Sequence, residues 1–412
     1  MQPLERIPYS ELSLRHALLR EALQETCPSA QGILIFSRTT IYWLSGTICN
    51  GLFWLPLEGE PVLMVRRSLP RAELESAIPH IFPYRSFSEI SFLAESAGSP
   101  LPQKTAVEMS GLSYDLGVSL NKRLSNVELL PGDQAVVRAK AVKTPFELDR
   151  LREAGEAHRT AMYEAFPRNI RPGMNEREMS IILANLCFDL GHCGILRTCC
   201  PANEVFICGV AAGENSNYPS HFNGPMGQSG SHPAAPVFGN PHKIWKPGES
   251  LMADMAFSIT GYNTDKTVTY WGGPAETIPD EINKAHEFCI RLQNTAASRL
   301  KAGAIPSDIW HETLDLVRSA GYMEGFMGLG ESKVPFLGHG IGLCIDEYPV
   351  IAERFDAPLK AGMVLALEPK ISLPGVGMVG VENTYIVGEG EPECITAHPD
   401  DDLGIVCVPP RD

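Results

Sequence analysis

Leu251-Met-Ala-Asp-Met-Ala-Phe-Ser-Ile-Thr-Gly-Tyr-Asn-Thr-Asp-Lys-Thr-Val-Thr-Tyr-Trp271 is the stretch from which the rest of the chain is best read. Leu251–Ile259 and Lys266–Trp271 are rich in strand-forming residues and read as a hairpin joined through Thr260-Gly-Tyr-Asn263. Asp is depleted in strands, yet two occur here, Asp254 and Asp265, with ten residues between them. In such a hairpin both carboxylates can reach one pair of metal ions. For Asp265 the plainer alternative is a turn cap, working with Asn263 and Thr264.

Three more polar residues follow in strand-like or glycine-bounded segments. His339 lies between glycines in Gly338-His-Gly-Ile-Gly342, where missing side chains leave room beside the ring. Glu368 ends the apolar run Met363–Leu367 and precedes Pro369, and Glu382 interrupts Met378–Val387, whose alternate residues are apolar. Singly, each has an ordinary explanation: a structural loop histidine, a solvated strand end. Burying unpaired charges is costly, so for the whole set a metal is the natural counter-ion. Four carboxylates and one imidazole suffice for two divalent ions if carboxylates bridge them.

Outward from this set, helical patterns recur. Thr144-Pro-Phe-Glu147 is a capping box with proline in the first turn, opening a long helix to about Phe166. Arg171-Pro-Gly173 breaks it, and a second helix ends near Gly191. The arrangement returns after Pro279, with a break at Lys301-Ala-Gly303 and an end near Gly321. Gly173 to Gly191 and Gly303 to Gly321 have equal spacing, which points to an internal duplication. Two halves of helices followed by strands would leave a cleft between the strand layers, and every ligand candidate falls in strand-like parts.

The first ~140 residues alternate helix and strand patterns, as an α/β layer does. Ser10 reads as the cap of a helix with Leu14, Leu18 and Ala22 on one face, and Gly32–Phe36 as a buried strand. Leu52–Leu57 and Pro61–Val65 read as a hairpin, and Thr105–Met109 and Gln134–Val137 as further short apolar runs. The expected domains are 1–142, a scaffold or lid, and 143–412, which carries every ligand candidate.

A chain of 412 residues, 44% hydrophobic and 20% charged, fits a soluble globular protein of two or three domains. The formal charge of -15 argues against nucleic acid and anionic membrane as partners. No secretory signal and no apolar run of spanning length is visible. Eleven cysteines without paired spacing fit free thiols in a reducing cytoplasm.

Asp-x10-Asp with an intervening Gly-Tyr, then GHGIGL, then Glu-Pro and a late strand Glu, resembles the pita-bread metallohydrolases: methionine aminopeptidase, aminopeptidase P, prolidase and creatinase-like enzymes. The resemblance covers nearly the whole chain. It implies an α+β protein, with a C-terminal pita-bread fold containing the duplication and a smaller α/β creatinase-type N-terminal domain. It further implies that Asp254 chelates one metal, Asp265 and Glu382 bridge both, and His339 and Glu368 complete the second. A hydroxide between the ions would be the nucleophile and Glu368 the general base. The ligand types suit Mn²⁺, Co²⁺ or Fe²⁺ at least as well as Zn²⁺.

The family also places a histidine shortly before the first ligand Asp. Here the loop holds His221, His232 and His242, and Ser-His-Pro-Ala-x-Pro around His232 matches best, with His221 second. Two departures concern the substrate. Proline-specific relatives carry a second histidine after the ligand His where this chain has Asp346, which would attract a cationic group such as a free α-amine. They often carry Arg where this chain has Gly380. The first expectation is therefore a cytoplasmic, homodimeric Xaa-Pro dipeptidase or aminopeptidase acting on small peptides. The second keeps the fold but takes a small creatine-, ectoine- or betaine-like compound. A silent binding module would predict a lost ligand, and none is lost.

Overall fold

The computed structural model describes residues 5–200, 203–397 and 404–409. The chain divides into two compact units at Lys140/Ala141.

The first unit alternates α1 (Tyr9–Thr26), β1 (Gly32–Ile35), α2 (Arg38–Ser45), β2 (Asn50–Pro56), β3 (Val62–Arg67), α3 (Leu69–Glu75), β4 (His80–Pro83), α4 (Ile90–Ser96), β5 (Lys104–Val107), α5 (Tyr114–Arg123), β6 (Glu128–Pro131) and α6 (Asp133–Ala141). Its mixed sheet runs β4-β3-β2-β1-β5-β6, and β2 and β3 form the expected hairpin. Leu34, Leu52, Trp54, Met64 and Val107 lie in its core. Two expectations about the first helix need correction. The first helix begins at Tyr9 with Pro8 as N-cap, so Ser10 lies inside the first turn. Its buried face carries Leu12, Leu19 and Leu23 while Leu14 is exposed, because the Arg15–Glu11 pair and His16 go inward and rotate the face. Gln134–Val137 is helical, within α6; the edge strand is β6.

In the second unit, α7 (Pro145–Arg159) continues through a π-helical turn (Thr160–Ala165) into α8 (Phe166–Asn169), and α9 (Glu176–Asp189) follows. Strands β7 (Gly209–Ala212), β8 (Ser250–Ile259) and β9 (Tyr262–Trp271) come next, then α10 (Asp280–Ala297) and α11 (Pro306–Ala320). The chain then runs through β10 (Phe336–Gly340), β11 (Glu347–Ala352), β12 (Val364–Leu367), β13 (Lys370–Leu373), β14 (Gly377–Gly380), β15 (Asn383–Ile386), β16 (Glu393–Cys394) and β17 (Val406–Cys407). The Thr144–Glu147 capping box is formed, with both reciprocal hydrogen bonds present. Gly191 and Gly321, at the ends of the two second helices, both have positive φ, 94° and 81°, which suits a residue without a Cβ. Each helix set thus leads into strands, in sheets ordered β17-β9-β8-β7 and β11-β10-β12-β15-β16.

The β8–β9 hairpin is tighter than its sequence implies. Ile259 pairs with Tyr262 across Thr260 and Gly261, both at positive φ (51° and 89°), as a two-residue type I′ turn demands. The second strand therefore starts at Tyr262, and Asp265 lies within the strand rather than capping a turn. β9 is buried along its whole length, because its two faces meet different neighbours. Thr264 meets His158 of α7 at 3.1 Å, and the Tyr270 hydroxyl donates to the Met162 carbonyl at 2.6 Å. The alternate residues face the later strands: Thr267 donates to Glu382 beside β15 at 2.7 Å, and Thr269 to the Gly380 carbonyl of β14 at 2.9 Å. The strand period of two puts Asp265 on that same side.

Candidate metal centre

The pairing of β8 with β9 sets the first two candidates. Asp254 lies opposite Thr267, and Ala256 opposite Asp265, so the two aspartates are diagonal neighbours on one face. His339 comes from β10, Glu368 from the residue after β12, and Glu382 from the residue before β15. An isolated bridge between Thr267 and Glu382 brings the start of β15 onto β9. Asp265, Glu368 and Glu382 are buried, and Asp254 and His339 are partly open. All five line one cavity of about 500 Å³.

Donor atoms of Asp265, His339 and Glu382 lie within 4.8 Å of one another, as do those of Asp254, Glu368 and Glu382. His339 Nδ1 donates to the Gly340 carbonyl at 3.2 Å, which turns Nε2 toward the acids. That Nε2 lies 3.6 Å from Glu368 Oε1. Burial, with Glu382, Asp254 and Glu368 close by, raises the Asp265 carboxyl well above its ordinary value. Burial also raises Glu368, to about 8, although Lys370 pulls it the other way. Crowded acids of this kind gain most from a cation among them.

One cation is already present. Lys370, wholly buried at the start of β13, places Nζ 3.1 Å from Asp254, 2.7 Å from Glu368 and 2.9 Å from Glu382. Burial opposes its charge, but Asp254, Glu368 and Glu382 together raise its pKa well above the ordinary lysine value. Burial also works against Glu382, yet Lys370 holds its carboxyl below the usual range. This lysine is not among the residues expected from sequence. A signal for it exists in Glu368-Pro-Lys370, since residues two apart in extended chain face the same way.

The loop histidines separate clearly. His221 lines the cavity, with Phe222 and Asn223 beside it. His232 is exposed and lies off the cavity lining, its Nδ1 accepting from the Ala234 amide at 3.0 Å within its own turn. Asp346 lines the cavity and accepts the Cys199 amide at 2.6 Å; burial first raises its pKa.

The profile of metallopeptidase family M24 matches residues 149–389, and that of the creatinase/prolidase N-terminal domain matches 15–142. The chain belongs to metallopeptidase family M24. It is a metal-dependent hydrolase with the pita-bread fold behind a creatinase-type N-terminal domain. An Xaa-Pro dipeptidase of Pyrococcus furiosus is 24% identical over 370 residues, 89% of this chain and 94% of that one. A Lactobacillus helveticus Xaa-Pro dipeptidase is 29% identical over 276 residues, 66% and 64% of the two chains. Among solved structures, an Xaa-Pro dipeptidase from Bacillus anthracis superposes with TM-score 0.78 at 24% identity, covering 96% of this chain and 99% of that one. For this M24 member the Asp265–His339–Glu382 trio fits a divalent ion: two carboxylates and an imidazole, with no lysine ammonium on Asp265 or His339 in the ion pairs described. The Asp254–Glu368–Glu382 trio has suitable donors as well, but each of them already faces Lys370.

Proposed function

We propose that this chain hydrolyses the C–N bond of small peptides as an Xaa-Pro dipeptidase or aminopeptidase. The observation that carries the reading is the convergence of five ligand-type side chains on one wall of a cavity of about 500 Å³. That volume is of the size that encloses a small ligand. The Xaa-Pro dipeptidases named among the relatives support the substrate class. A divalent ion, whether Mn²⁺, Co²⁺, Fe²⁺ or Zn²⁺, would supply Lewis acidity and a water activated near neutral pH. The expectation of two ions rests on the count of donors, and Lys370 bears on it directly.

The chain's own groups do the rest. Glu368, which lines the cavity beside His339 and Lys370, is placed to accept a proton and return it to the departing amine. We assign His221, rather than His232, to the substrate, because it is the one that lines the cavity. It would hydrogen-bond the carbonyl or carboxylate of the peptide. Asp346, with one oxygen on Cys199, sets a negative charge on the cavity wall for a substrate α-amine. Eleven cysteines, with no disulfide among the described residues, support a reducing cytoplasmic setting. A homodimer is proposed on the resemblance alone.

A second reading is favoured by Gly380 and Lys370, which change the cation beside the ligands. It takes a small creatine-, ectoine- or betaine-like compound in the same cavity. Metal-reconstituted protein assayed on Ala-Pro, Gly-Pro, a tripeptide with proline second, and compounds of the second class separates the two. Turnover of a proline peptide is expected. None with Mn²⁺, Co²⁺ or Zn²⁺ would end the peptidase reading.

A further inference from the structure

We propose that the Lys370 ammonium stands in place of a second divalent ion, so that this site works with one metal, held by Asp265, His339 and Glu382. The inference rests on the metal-dependent reading above, but it is silent on the substrate.

The geometry is that of a built site. An ammonium has three N–H donors and no acceptor. Lys370 directs Nζ at three carboxylates, Asp254, Glu368 and Glu382, at 3.1, 2.7 and 2.9 Å. Those three residues are also one of the two groups able to hold a metal. Asp265 and His339, the members peculiar to the other group, make no contact with Nζ in the described ion pairs. One trio is therefore served by the chain itself; the other shares Glu382 with it and keeps Asp265 and His339 for an ion.

The backbone is shaped around this lysine. Lys370 and Gly380 pair directly across the β13–β14 hairpin. A Cβ at residue 380 would meet Lys370 Cα at 2.7 Å, Lys370 Cγ at 2.8 Å and the Pro369 carbonyl at 2.5 Å. Gly380 is not among the glycines with positive φ, so the stem of Lys370 and the adjoining backbone, not strain, exclude a side chain there. The lysine thus reaches the carboxylates along a path kept open by the opposite strand.

An ion bound to the Asp254–Glu368–Glu382 trio would compete for the same oxygens. Each of these carboxylates already accepts the ammonium, so an ion there would displace those contacts and meet the lysine's charge as well. The lysine therefore supplies a fixed positive charge near where a second ion would stand.

The test is metal content. Apo-protein reconstituted with excess Mn²⁺ and freed of unbound ion by gel filtration is expected to retain one Mn²⁺ per chain, with the six-line electron paramagnetic resonance of an isolated ion. Lys370→Met, which keeps the length of the stem and removes the charge, is expected to retain two, with an exchange-coupled spectrum. Two tightly held, coupled ions in the unaltered chain would overturn the proposal, as would one ion in a folded Lys370→Met chain. Should that variant fail to fold, the stoichiometry and spectrum of the unaltered chain decide between one ion and two. Absent proline-peptide turnover alongside one bound Mn²⁺ would remove the peptidase reading and leave this inference standing.

Discussion

Glu108 in the first unit and Glu382 in the second are equally hidden from water, yet their charges are met in different ways. Glu108 accepts from the Phe36 amide at 2.9 Å, the Ser37 amide at 2.7 Å and the Thr40 hydroxyl at 2.6 Å. Glu176, in the second unit, follows the same scheme with the Ala212 and Asn240 amides and the Asn215 side chain. Each accepts all its described hydrogen bonds from amides or a hydroxyl, with a single lysine charge nearby, Lys140 for Glu108 and Lys243 for Glu176, and it ties chain segments together. Glu382 shares its pocket with Asp254, Asp265 and Glu368, and dipoles alone do not balance four neighbouring acids. Its partners are Thr267 and the Lys370 ammonium. Burial by itself thus says little about function. What distinguishes the site is several acids gathered where only cations can compensate them.

The harshest way to test that contrast is to remove a ligand on which the lysine has no hold. Asp265→Ala is expected to lose metal retention and to reduce turnover by at least about 10³-fold. That exceeds the 10- to 100-fold typical of losing a group one step further from an ion. Metal analysis together with a peptide assay reads both effects. Undiminished metal content in this variant would remove Asp265 from the site.

A matched pair comes next. Glu368→Gln is expected to keep its metal, because Asp265, His339 and Glu382 remain, while kcat falls by about 10²–10⁴-fold as a proton-transfer group is lost. Glu108→Gln is expected to keep full metal content and to lower stability by roughly 1–3 kcal/mol, since one of its three donors then faces an amide N–H₂. Thermal unfolding and metal analysis on both proteins distinguish the two kinds of buried acid. If Glu108→Gln lost metal, or Glu368→Gln only lowered the midpoint, the contrast would fail.

Much of this is legible in the chain itself. Asp254 and Asp265 stand out because they sit against strand propensity, and the capping box at Thr144 and the matched glycines of the two helix pairs announce the repeat. The turn is harder to place, because Thr260, a β-branched residue at positive φ, is a poor signal for the first position of a type I′ turn. Asp265 therefore looks two-sided from sequence, as ligand or as cap. Lys370 is easily passed over in sequence because a lysine after Glu-Pro resembles a solvated strand end, whereas in the fold it is buried on three carboxylates, with Gly380 opposite its stem. The loop between β7 and β8 has no periodicity from which to orient its histidines. Local pattern favours His232, whereas the cavity wall carries His221.

The gentlest test concerns buried bases, which follow the same division as the acids. His16 in the first unit has its Nε2 2.8 Å from the Leu44 carbonyl and no carboxylate partner in the described bonds. Burial lowers its pKa from 6.5 to about 4, and the Arg20 and Arg15 charges add to the shift. Because the folded pKa lies below the unfolded one, the unfolded chain takes up a proton first as the pH falls. The stabilisation is therefore present in full above about 6.5 and is lost progressively toward 4. Between pH 7 and 5.5 this one histidine is expected to remove about 1 kcal/mol. His16→Gln, which retains an N–H for the Leu44 carbonyl but does not titrate, should flatten the fall in unfolding midpoint over that range. An unchanged pH slope in the variant would mean that His16 is charged in the folded protein, with a carboxylate rather than a dipole meeting its charge.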